Sequence, residues 1–155
     1  MTRAAGSWSS LMMERSINFQ CAIYNLQFPI NETMSQFPNN KYDLEERTAR
    51  FGELVIQLCR DIEQNPITKP VVNQLVRSGT SIGANYMEAN GASSKKDFTN
   101  KIFICKKEAQ ETKHWLRMLL GCTAGKTEEI GRLRQECQEL TLIFQKISSS
   151  ARSKV

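Results

Sequence analysis

From Asp43 onward, apolar residues recur every three or four positions, and the breaks in that rhythm fall where helices end. Leu44, Phe51, Val55, Leu58 and Ile62 form the first stripe. Asp43 stands at the N-cap position with an acidic residue, Glu46, three positions on, and "NPITKP" closes the segment, so a first helix is expected over about 43–64. Pro70 suits the first turn of a second helix, whose stripe is Val72, Leu75, Val76, Ile82 and Tyr86. That stripe runs through "SGTSIGANY" without losing its period. Gly79 and Gly83 each cost a helix about 1 kcal/mol relative to alanine. An unbroken period across them, with Ser81 and Ala84 alongside, marks a place where a neighbouring helix comes close rather than a loop around a ligand. Gly91 followed by Ser93 and Ser94 reads as a helix stop and a fresh N-cap.

The third stripe, Phe98, Ile102, Cys105, Ala109, Thr112, Leu116 and Leu119, alternates steps of four and three, as in a long helix packed lengthwise on others. After "GCTAGK", Thr127 is expected to cap a fourth helix carrying Ile130, Leu133, Cys137, Leu140, Phe144 and Ile147. Four helices of roughly 20 to 26 residues with short connections, and no strand pattern, indicate an all-α fold: an antiparallel up-down-up-down four-helix bundle over 43–147. Residues 1–42 have no sustained period and contain Pro29 and Pro38. They read as an N-terminal extension, mostly disordered or docked loosely through "CAIYNLQF", with Met34 as an alternative start. "SSSARSKV", residues 148–155, reads as a frayed basic C-terminal tail.

Charge sharpens the picture along one helix. The 155-residue chain, sized for one domain, has 21 Lys and Arg against 16 Asp and Glu. Within 43–147 the balance is nearly even, 16 basic to 14 acidic. The third helix, however, sets Lys95, Lys96, Lys101, Lys106, Lys107, Lys113 and Arg117 against Asp97, Glu108 and Glu111, a net of +4, while the first is net −3. These helices either pair electrostatically, or the third presents a basic strip to the phosphates of RNA or DNA. No run is long and apolar enough for a membrane span or a signal peptide, so a cytoplasmic protein is expected. The five cysteines are odd in number and include no C-x-x-C pair, which argues against a disulfide framework or zinc site. Cys59, Cys105 and Cys137 fall beside or on apolar stripes and are expected to act as small core hydrophobes.

Enzymatic chemistry finds little support. "GCTAGKT", residues 121–127, is one residue short of a phosphate-binding loop and follows a helix instead of a strand. His114 is the only imidazole, lies off the stripe, and is the only base available to Ser78 or Ser81. Glu88, Glu108 and Glu111 lack the Glu-x-x-His companion of di-metal bundles. No catalytic residue, metal or cofactor is therefore expected. "KIFICKK" places apolar side chains nearly all round the third helix, and Trp115 also leaves the main stripe. Phe103, Ile104 and Trp115 are accordingly expected at a subunit interface, the alternative being a central helix covered on both sides.

"VRSGTSIGANYMEANGASSKKDFTNKIFICKKEAQETKHWLRMLL" resembles the bacterial four-helix-bundle family of proteins encoded by intervening sequences of 23S ribosomal RNA genes. The resemblance is carried by Arg77, Ser81, Ile82, Asn85 and Glu88, by Ser94, Lys95, Lys96, Asp97 and Phe98, and by Lys107, Glu108, Ala109, Glu111, Thr112, Trp115 and Leu116. It implies a ring-like homo-oligomer, commonly a pentamer, with no established enzymatic activity. It also implies kinship with the accessory variability determinant of diversity-generating retroelements, which associates with a reverse transcriptase and nucleic acid. Arg77, Ser81, Asn85 and Glu88 are expected to form a structural polar network reaching the third helix. The expected function is a non-enzymatic oligomer that binds RNA, DNA or a nucleic-acid enzyme through its basic third helix. The alternative is a structural adaptor that recruits a protein through its apolar second face.

Overall fold

A computed structural model describes residues 43–152; the N-terminal extension, its "CAIYNLQF" patch, Met34 and residues 153–155 lie outside the described residues. The described residues form four helices and no strand: α1 (Leu44–Arg60), α2 (Thr68–Asn90), α3 (Lys95–Leu120) and α4 (Thr127–Arg152). The fold of the described residues is all-α, and residues 45–152 belong to one compact unit.

Helix ends follow local hydrogen-bond chemistry and correct the expected boundaries. α1 stops at Arg60, not near 64, because the Asp61 and Ile62 N–H groups turn back to the Leu58 and Cys59 carbonyls. Ile62 stays buried beyond the helix end. α2 starts at Thr68, two residues before Pro70. The Asn65 carboxamide oxygen accepts from the Ile67 and Thr68 N–H groups, while Thr68 donates its hydroxyl hydrogen to the Glu63 carbonyl. That cap occupies donors a new helix otherwise leaves unsatisfied. Ser94 caps α3 as expected, accepting from the Asp97 N–H at 3.1 Å. Thr127 lies within α4 as its first residue. Residues 148–152, expected in a frayed tail, are helical instead: α4 continues to Arg152, with Ser148 buried and the Ser149 hydroxyl donating to the Gln145 carbonyl at 2.9 Å. The buried stripe drifts from Ile147 to Ser148, as it must when a helix turns every 3.6 residues rather than 3.5.

The core gathers Phe51, Val55 and Leu58 from α1, Leu75, Ile82 and Tyr86 from α2, Ile102, Cys105, Ala109, Leu116 and Leu119 from α3, and Ile130, Leu133, Cys137, Leu140 and Phe144 from α4. Tyr86 and Phe144 meet as a tilted aromatic pair with centroids 6.1 Å apart. The glycines of α2 face α1. A Cβ on Gly79 would stand 2.9 Å from Val55 Cγ1, and one on Gly83 would lie 3.5 Å from the Thr48 backbone. "SGTSIGANY" is thus a helical seam whose propensity cost is offset by close packing.

Buried or nearly buried polar links tie the helices together. Across α2 and α3, the buried hydroxyls of Ser78 and Thr112 meet at 3.0 Å, and Cys105 Sγ points at the Ile82 carbonyl. Between α1 and α4, Arg47 grips Glu136 with both ends of its fork, Nε to Oε1 at 2.6 Å and a terminal nitrogen to Oε2 at 2.9 Å. The same guanidinium holds Glu139 at 2.6 Å. Glu136 is 1% exposed and Arg47 15%, so this bridge sits essentially inside the fold.

Candidate functional site

α3 presents three strips whose exposure follows the heptad. Opposite the core lie Lys96, Asn100, Phe103, Lys107, Gln110, His114 and Arg117, all exposed and spaced by fours and threes. No carboxylate interrupts this outward stripe; Asp97, Glu108 and Glu111 are half-buried to one side. The helix rises 1.5 Å per residue, so the stripe from Lys96 to Arg117 is about 31 Å long.

The seven basic residues expected to form one strip divide by their neighbours. Lys96, Lys107 and Arg117 stand on the outward stripe and carry no ion pair among the described residues. Lys106 is half-buried beside it, its ammonium 5.6 Å from the Phe103 ring centroid. Lys95 lies at the exposed start of the helix. Lys101 and Lys113 belong to the fold instead: Lys101 pairs with Glu88 of α2 and Lys113 donates to Gln138 of α4. The hydrogen bond to Glu88 holds the Lys101 ammonium above the usual lysine range.

The three apolar residues expected at one interface also separate. Ile104 and Trp115 are eleven residues apart, three turns, and share a half-buried side of α3 next to Glu108 and Glu111. Phe103 precedes Ile104 by one residue and is therefore rotated about 100° from it. It is 47% exposed and is the one apolar member of the outward stripe.

Arg77, Ser81, Asn85 and Glu88 do not form a buried network. Arg77 and Glu88 are exposed, Ser81 and Asn85 half-buried, and no hydrogen bond joins the four side chains to one another among the described residues. Ser81 donates to the Arg77 carbonyl at 2.7 Å and Asn85 to the Ser81 carbonyl at 2.8 Å, each one turn back along α2. Small polar side chains reach such carbonyls more easily than a partner across a seam. The links to α3 come from Glu88 to Lys101 and from Arg77 to Glu111, the latter a loose 3.8 Å pair. Trp115 Nε1 donates to the same Glu111 at 3.3 Å.

Glu108 stands out in this seam. Its Oε2 is buried and has no hydrogen-bond partner among the described residues. Desolvation, then the charge of Glu111, pushes its carboxyl above the usual carboxylate range. Among the described residues, Arg134 Nε of α4 is the other buried polar side-chain atom without a partner.

The groups weighed for catalysis lie in separate surroundings. His114 is exposed, its ring edge-on to Trp115 at 5.1 Å. Ser78 is fully buried against Thr112. In "GCTAGKT", Gly125 takes φ +85° in the turn and Lys126 reaches Asp61 at 2.7 Å and Glu129 at 3.1 Å, bracing the start of α4. Burial raises the Cys59 thiol to about 11 and the Cys105 thiol to about 12, and lifts Cys137 well above its ordinary value. All three are inert core thiols. No group of three His, Cys, Asp or Glu placed to hold a metal occurs among the described residues, and none of the described helices is long and apolar enough to cross a membrane.

The Arg47–Glu136 bridge is the feature that sequence reasoning missed, although a signal exists. Arg47 lies three residues after Leu44 and four before Phe51; Glu136 lies three after Leu133 and four before Leu140. A charge bracketed in this way borders the apolar stripe, and two of opposite sign on facing helices can meet.

Over the described residues these features define a four-helix, all-α fold whose third helix carries a carboxylate-free basic stripe. The chain belongs to the 23S rRNA-intervening sequence protein family, whose model matches residues 40–146. It is similar to a solved structure from Bacteroides thetaiotaomicron, described as a protein with unknown function from the S23 ribosomal protein family. The two share 30% sequence identity with a TM-score of 0.60, over 67% of this chain and 96% of that one. No curated protein matches the chain.

Proposed function

We propose that this protein is a non-enzymatic helical bundle that binds nucleic acid, or an enzyme acting on nucleic acid, through the outward stripe of α3. One observation carries the proposal: Lys96, Lys107 and Arg117 share a face with Asn100, Gln110 and His114 and with no carboxylate. Such a face attracts phosphates through charge and offers amide and imidazole groups for hydrogen bonds, without a pocket for a small substrate. Replacing Lys96, Lys107 and Arg117 together with glutamine is expected to weaken binding of a labelled RNA strongly at low salt. Replacing Lys101 and Lys113 is expected to leave RNA binding unchanged in the folded fraction, because their ammonium groups are engaged within the fold. Equal losses from both sets would contradict this assignment.

An antiparallel order of the helices is part of the same proposal. Its support is the pairing of Glu45 with Asn90, Thr48 with Gly83 and Val55 with Gly79 between α1 and α2, and of Ser78 with Thr112 and Glu88 with Lys101 between α2 and α3. A spin label at Glu46 should then lie nearer one at Met87 than one at Lys69; the reverse order would sink it.

Assembly into a homo-oligomer, with a pentameric ring as the favoured form, is proposed through the half-buried Ile104 and Trp115 side of α3. The orphaned Glu108 oxygen beside these residues favours a contact there that supplies a cation. Light scattering on Trp115→Glu should report a smaller particle than the parent, and an unchanged mass would overturn this contact. A cytoplasmic setting fits the three buried free thiols. Fractionation of the native cells tests it, and recovery outside the cytoplasm would contradict it.

A further inference from the structure

We propose that Phe103 and Lys106 form a base-stacking platform, so that the stripe takes single-stranded nucleic acid in preference to duplex. This inference rests on the nucleic-acid reading above and names its substrate class. Phe103 is 47% exposed at the one point where a stripe of polar and charged side chains turns apolar. One helical turn further along stand two cations: Lys106 has its ammonium 5.6 Å from the ring centroid, and Lys107 lies four residues on along the stripe, while Asn100 lies one turn before. Lys96 lies two turns before it.

A phenyl ring has no hydrogen-bonding group, so the contact it can offer a nucleotide is its face. A duplex keeps its bases stacked inside and shows this convex helix face only phosphates and groove edges. A single strand can turn a base out onto the ring while Lys96 and Lys107 hold the flanking phosphates. The Lys106 ammonium over the ring adds attraction for the phosphates of a strand held there. Recognition of this kind tolerates any base, which suits a stripe whose hydrogen-bonding groups are Asn100 and Gln110, both able to donate and accept.

The test uses the full chain and two fluorescent probes, a short oligothymidine and a duplex of equal length, measured by anisotropy at one salt concentration. The parent should bind the oligothymidine more tightly. Phe103→Ala should weaken that binding about 5- to 150-fold, leave duplex binding unchanged, and retain the parent's helical circular dichroism and particle mass. Phe103→Tyr should restore the preference, because it keeps a ring. If the parent binds neither probe, the nucleic-acid reading falls and the platform with it. If both probes bind but Phe103→Ala weakens neither or both alike, the platform is overturned while the charged stripe stands. A changed particle mass in Phe103→Ala would place the ring in a subunit contact and also overturn the platform.

Discussion

The seam of α1 against its neighbours and the outward stripe of α3 use similar residues to opposite ends. In the first, Arg47 is drawn inward onto the buried Glu136, and Gly79 lets Val55 rest on the α2 backbone. In the second, Lys96, Lys107 and Arg117 face outward with no carboxylate among them, and an exposed Phe103 keeps them company. A charge that is matched and desolvated serves the fold, and breaking the match leaves a costly group behind. A charge left in water contributes little to stability and remains available to a partner. Substitutions in the two regions should therefore separate stability from binding.

The largest effect is expected at the bridge. Arg47→Ala strands the Glu136 carboxylate and should reduce unfolding free energy by about 3–5 kcal/mol, read from urea denaturation. Glu136→Ala should cost less, because Glu139 still receives the guanidinium. Equal, small losses from both would show that the pair is not buried as described.

Next comes the glycine seam. Gly79→Ala forces a methyl group against Val55, and after the gain in helix propensity should still destabilise by about 1–2 kcal/mol. Gly83→Ala meets only ordinary contact distances and should stabilise by up to about 1 kcal/mol. Thermal unfolding of the two variants in parallel would expose the contrast, and matching shifts would refute it.

A smaller, pH-dependent effect is expected from Glu108. Its folded-state carboxyl titrates above the unfolded one, so the folded protein binds the proton more tightly. Stability should fall as pH rises from the ordinary carboxylate range through the folded-state value, with the penalty fully present above it. Glu108→Gln should flatten that segment of the stability–pH curve. A segment of unchanged slope would mean that another group sets it.

How much of this was legible in the sequence depended on whether a feature repeats. The four stripes gave the helices and nearly all core residues, because each position is confirmed by others three and four away. The cap at Ser94 and the seam at Gly79 could be read in the same local way. Helix ends were harder: Asn65 and Thr68 start α2 through side-chain bonds that no periodicity reveals. The site was only half readable. Net charge pointed to α3, but the seven cations look alike until Glu88 and Gln138 are seen to engage two of them. Phe103 and Ile104 look like one apolar patch because they are adjacent in sequence, although a helix turns them about 100° apart. The Arg47–Glu136 pairing joins residues 89 positions apart, and its partner could not be chosen without the fold.

The smallest expected change in stability belongs to the outward stripe, and it accompanies the largest expected change in binding. Lys96→Gln, Lys107→Gln and Arg117→Gln combined should alter unfolding free energy by no more than about 0.5 kcal/mol per site. The most direct measurement is the salt dependence of oligothymidine affinity for the parent and for this triple variant. Each lost phosphate contact should reduce the slope of log affinity against log salt by about 0.7, so the triple variant should be shallower by about 2 while remaining folded. Parallel lines for the two proteins would mean that the stripe makes no phosphate contacts and would contradict the proposed function.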